Sequence, residues 1–234
     1  MLGLIIQLFI SWILIRIFEK KDLSVLGWYP TGERVKGFFV FFFLTAFCCA
    51  SGFLLRIYFG HETWALNPAL NLNFLWQGIW WNIKSVLFEE LIFRGVLLYI
   101  LIQRTNNSIA ILVSAIAFGI YHWFSQGSWG HLQPMLITFL LTGTMGWLYA
   151  YAYISYRSIY IPSAIHLGWN FTQSFVFSSG VIGNGILVLK EQPQVQVSLL
   201  VYYSIIGLPM LSVWLINYLL LKRKANKNLS SAVG

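Results

Sequence analysis

Two adjacent glutamates, Glu89 and Glu90, lie inside a long apolar run, with Arg94 four residues beyond the second. Helical residues advance about 100° each, so the two carboxylates point in different directions while Glu90 and Arg94 share one face. That geometry divides the labour: Glu90 pairs with Arg94, and Glu89 turns to a watery cavity where a carboxylate can serve as general base. Two further pairs repeat the four-residue spacing in apolar surroundings, Phe118 with His122 and His166 with Asn170. Ionisable side chains within a membrane are costly unless paired or hydrated, and they mark functional paths.

Plainer roles exist for each. The glutamates could form a buried ionic network with Lys84 and Arg94, His122 could make one interhelical hydrogen bond, and His166 and Asn170 could tie spans together as polar residues do in lipid. Intramembrane Glu and His also line ion paths. No internal repeat or pair of broken helices accompanies them here, which weighs against a transporter. Phe118 reads as packing beside the site.

The elements that must carry these residues are membrane helices. Of 234 residues, 58% are hydrophobic and only 9% charged, against about 25% charged in soluble domains. Seven apolar stretches approach the roughly 20 residues that cross a hydrocarbon core: 2–18, 37–58, 74–103, 108–124, 134–154, 160–178 and 198–221. The expectation is an all-α polytopic bundle of about seven spans, a single membrane domain over 1–234 with a motif-bearing catalytic core near 74–178. Counted along the third span, Glu89 lies close to mid-membrane, and at 1.5 Å per residue Glu89 and His122 are each about 21 Å from the cytoplasmic ends of their spans.

The net charge of +8 is explained by the positive-inside rule and needs no nucleic-acid partner. With the N-terminus outside and the C-terminus cytoplasmic, the inner loops and ends hold Arg16, Lys20, Lys21, Arg34, Lys36, Arg104, Arg157, Lys222, Arg223, Lys224 and Lys227. The outer loops hold Arg56 and Lys190, and Lys84 and Arg94 lie within the third span. Met1 to Phe18 has no basic residue before its apolar run and no small-residue cleavage site, so it reads as a retained span. Neighbouring Cys48 and Cys49 suit free thiols better than a disulfide. Residues 60–73 read as an outer loop or interfacial turn and 180–197 as a long loop, with a lid as the alternative, the second broken by Gly180, Gly183, Gly185 and Pro193.

The set Glu89-Glu90-x-x-x-Arg94, Phe118-x-x-x-His122 and His166-x-x-x-Asn170, in that order on three spans, resembles the CPBP family of intramembrane proteases. That family includes type II CAAX prenyl endopeptidases and bacteriocin-immunity proteins. The resemblance covers about residues 85 to 170. It implies an intramembrane endopeptidase acting on a membrane-associated or prenylated-type peptide or protein. Glu89, assisted by His122, would activate water, and His166 and Asn170 would donate to the oxyanion. A zinc version of the chemistry stays open, with Glu89, Glu90, His122 and His166 as candidate ligands; the metal-free version needs no cofactor. The implied partners are a peptide or membrane-protein substrate and the lipid bilayer. A short, loop-poor chain resembles bacterial members, which implies the bacterial plasma membrane. A non-proteolytic immunity or scaffold protein of the same fold is the alternative.

Overall fold

The computed structural model describes residues 2–178, 185–193 and 195–233. Helices dominate: α1 (Leu2–Glu19), a 3-10 turn (Leu23–Leu26), α2 (Gly32–Gly60), α3 (Leu72–Phe93), α4 (Val96–Arg104), α5 (Asn107–Ser125), α6 (Leu132–Tyr156), α7 (Tyr160–Asn170), a π-helical segment (Phe171–Val176) and α8 (Leu199–Val233). Two short strands, β1 (Thr63–Leu66) and β2 (Leu187–Glu191), pair antiparallel. Five helices, α1, α2, α5, α6 and α8, are long and apolar enough to cross a membrane. The chain is a helical, polytopic membrane protein.

Three expectations change. The run at 74–103 is two helices, not one span, because the chain breaks at Arg94 and Gly95. A Cβ at Gly95 would drive into the Leu91 carbonyl oxygen, so only glycine allows this turn. Glu89 therefore lies four residues from the end of α3, and counting along an unbroken span no longer gives its depth. The sixth run is an α-helix that widens to a π-segment after Asn170. The two expected loops contain β1 and β2, paired from Leu66 opposite Leu187 to Trp64 opposite Leu189, with the register shifting by one residue before Thr63 meets Glu191. Gly180 and Gly183 lie outside the described residues.

The described chain clusters into two compact units. The first comprises Met1–Phe38, Leu87–Ser163 and Tyr218–Gly234; the second comprises Phe39–Val86 and Ala164–Asn217. In the first, α5 and α6 pack along a buried stripe of α5 that runs Ala110, Ser114, Ala115, Phe118, Gly119 and His122. Small residues let membrane helices approach closely where lipid supplies no hydrophobic drive. Ile15, Leu26 and Val96 form a second cluster that seats α1 against α4. Arg104 at the end of α4 bonds Glu19 at the end of α1, Nε to Oε1, at 3.1 Å.

Basic residues gather around one stretch of this unit. Lys21 donates to the Tyr99 hydroxyl at 2.5 Å, which raises the pKa of this exposed ammonium. Arg34 donates to the Arg157 carbonyl, and Lys224 pairs with Glu33. In the second unit, Cys49, Phe53 and Phe177 form a buried cluster with Trp64, Trp169 and Leu187 around them. The rings of Phe53 and Phe177 stack at 4.1 Å. Arg56 holds the buried Glu62 carboxylate at 2.8 Å beside that cluster. Cys48 and Cys49 are both free thiols.

Gly95→Ala must displace the Leu91 carbonyl and lose the break. A stability loss of about 2 kcal/mol or more is expected, measured as thermal unfolding of the purified chain in detergent.

Candidate active site

The first unit assembles five of the seven motif residues where the end of α3 meets α5. Ser114, Phe118 and His122, four residues apart along α5, meet Phe93, Arg94 and Glu89 at and just beyond the end of α3. Ser114 Oγ donates to the Phe93 carbonyl at 2.9 Å, satisfying an acceptor that the end of α3 leaves orphaned. The Phe118 ring stands 4.1 Å from the Arg94 guanidinium carbon. His122 Nε2 lies 3.9 Å from Glu89 Oε2.

Glu90 and Arg94 are completely buried, with Arg94 Nε 3.4 Å from Glu90 Oε2. Glu89 and His122 are nearly so. The two carboxylates thus diverge: Glu90 meets a permanent cation, and Glu89 meets an imidazole.

The tautomer of that imidazole follows from its other contact. His122 Nδ1 lies 2.8 Å from the Phe118 carbonyl oxygen, and a carbonyl only accepts, so Nδ1 carries the hydrogen. In the neutral ring, Nε2 is then an acceptor facing Glu89. A gap of 3.9 Å is too long for a direct hydrogen bond but suits one water donating about 2.8 Å bonds to both. Edge contacts from Phe118 and Tyr121 fix the ring plane.

His166 and Asn170 belong to the second unit, one turn apart on α7, with His166 buried. Gly168 between them seats α7 on α2, because a Cβ there would meet the Phe42 carbonyl and Thr45. Thr45 is held in turn by Asn217 Nδ2 of α8 at 3.2 Å. The Cys49 thiol donates to the Trp169 carbonyl at 3.8 Å, and Thr172 Oγ1 donates to the Gly168 carbonyl at 2.8 Å. Asn170 is the last residue before the π-segment, and such widenings recur at functional sites.

Several supporting residues escaped the sequence reading: Ser114, Tyr149, Thr45 and Asn217. Serine at an i−4 position from Phe118 gave a signal of sorts; the others had none. As for zinc, Glu90 is engaged by Arg94. Among the described residues no group of three or more His, Cys, Asp or Glu gathers to hold a metal ion.

A helical membrane protein with a carboxylate and histidine facing one another, beside a caged ion pair, is the class that fold and site define. Residues 71–172 match the family model described as Type II CAAX prenyl endopeptidase Rce1-like. That stretch includes all seven motif residues. The chain is also 33% identical over 89 residues to a Bacillus subtilis (strain 168) protein named "Putative membrane peptidase YdiL", a match covering 38% of this chain. The chain spans about a third of that curated relative, 32% of its length. No solved structure gives a significant match.

Removing one partner of a buried pair leaves an uncompensated charge. Glu90→Leu or Arg94→Met alone should each cost about 3–5 kcal/mol, and the double substitution should recover most of it. Thermal unfolding of the three variants in detergent checks this, and independent, additive losses would contradict a coupled pair.

Proposed function

We propose that the protein is an intramembrane endopeptidase that hydrolyses a peptide bond in a membrane-associated or prenylated-type peptide or protein. The observation that carries this reading is the Glu89 and His122 pair, 3.9 Å apart, with His122 Nδ1 committed to the Phe118 carbonyl. A water donating one hydrogen to Glu89 and one to His122 Nε2 presents its lone pairs to an incoming carbonyl carbon. Glu89 takes the proton as the C–O bond forms, and the tetrahedral intermediate carries the negative charge. Collapse breaks the C–N bond, and the proton held at Glu89 passes to the leaving amine.

His166 and Asn170 are the proposed oxyanion donors. Their support is the family match, whose stretch includes both, and their one-turn spacing on α7, which suits two donors converging on one atom. Glu90 and Arg94 hold α3 in place rather than touching substrate. The basic stretch of the first unit, where Arg104, Arg157 and Lys224 bond to residues 18–34, is taken as the cytoplasmic side of a bacterial plasma membrane.

Membranes from cells producing wild type, Glu89→Gln or His122→Ala, compared by mapping of new peptide termini, test the reading. Wild-type termini should fall about 10²–10⁴-fold in both variants, and about 10²–10³-fold in His166→Ala or Asn170→Ala. Termini that persist in Glu89→Gln would overturn hydrolysis by this site. Cleavage that is abolished by a chelator and restored by zinc would overturn the metal-free scheme.

A further inference from the structure

Arg94 is an unusual anchor. Its guanidinium is fully buried, yet among the described residues Nε, Nη1 and Nη2 make no hydrogen bond, and the contact to Glu90 at 3.4 Å is an ion pair rather than a directed bond. What surrounds the cation is aromatic. Its Cζ lies 4.1 Å from the Phe118 ring centre, 4.9 Å from that of Tyr149 and 5.6 Å from that of Phe93. Phe118 in turn meets Phe93 and Tyr149 edge-on, at 5.1 and 5.9 Å. Ring faces attract a cation through their quadrupole, most strongly where water is excluded.

Phe118 is a motif residue of α5, and Phe93 of α3 adjoins the motif position Arg94. Tyr149 does not: it is a buried residue of α6, a helix that carries none of the motif residues. We propose that Tyr149 is a positioning residue for the reaction, closing an aromatic cage that fixes Arg94 against Glu90 and so sets the direction of Glu89. The proposal rests on the protease reading for its catalytic consequence, but not for the cage itself.

A merely space-filling ring would be indifferent to its electron density. Tyr149→Phe serves as the reference, and phenylalanines bearing one, two or three fluorines are placed at 149 in the full chain by codon suppression. Fluorination weakens the ring quadrupole at nearly constant volume. The melting temperature in detergent is expected to fall stepwise with each fluorine, and to lose that dependence in the Glu90→Leu, Arg94→Met background, where the cation is gone. The rate of terminus formation in membranes is expected to fall about twofold or more per fluorine. A melting temperature that ignores fluorination, or that follows it equally without Arg94, would overturn the cage. A stepwise melting temperature with an unchanged cleavage rate would overturn the positioning role. If wild type itself cleaves nothing, the protease reading fails, and the melting series still decides the cage.

Discussion

A guanidinium sealed from solvent inside a membrane protein constrains everything around it. Arg94 has no exposed surface, and an unpaired charge in such a place costs several kcal/mol. The surroundings must therefore bring Glu90 and the rings of Phe93, Phe118 and Tyr149 to it together. Those partners come from α3, α5 and α6, so the charge acts as a registration mark for three helices. Sliding α5 by one residue would turn its stripe by about 100°, taking Phe118 off the cation and His122 off Glu89 at once. The contact that lays Phe118 on Arg94 is made by the same helix, α5, that sets the distance between Glu89 and His122.

The break after Phe93 belongs to this arrangement. Were the third apolar run one continuous helix, the Phe93 carbonyl would bond within it. Because α3 stops, that acceptor needs a donor from elsewhere, and Ser114 of α5 supplies it. The chain then restarts as α4, which packs on α1 and ends at the Arg104 to Glu19 pair. Hydropathy alone did not place this break: Lys84, Glu89, Glu90 and Arg94 lower it along residues 74–103, but nothing in it singles out Gly95. Hydropathy reports what lipid tolerates. It does not report a steric demand created by one carbonyl, that of Leu91.

What was legible in the sequence was local. The divergence of Glu89 from Glu90, and the i, i+4 relation of Glu90 with Arg94, follow from the helical repeat and reappear as contacts of 3.9 and 3.4 Å. The spacing of Phe118 and His122 likewise became a side-chain to carbonyl bond within one turn. Apart from the break at Gly95, the illegible features depend on distant chain segments. Tyr149 reaches Arg94 only through the register of α6, Asn217 reaches Thr45 across 172 residues, and β1 finds β2 more than a hundred positions away. Short apolar strands such as Thr63–Leu66 carry no pattern that separates them from a helix end. Single-residue propensity has no term for such partners.

Two neighbouring carboxylates in lipid look redundant, and the contacts show why they are not. Glu90 has to stay charged and immobile, because its value lies in being the counterion that makes Arg94 tolerable; a proton acceptor in that position would forfeit the ion pair each time it accepted. Glu89 has to gain and lose a proton in the proposed reaction, and the group it faces is an imidazole, which can itself be neutral. Adjacent positions on one helix deliver both conditions within a single turn. The first residue faces His122 of α5, and the second faces Arg94 just past the end of its own helix. A single glutamate could satisfy either requirement but not both, which is the physical reason for the pair to be adjacent rather than spaced by a full turn.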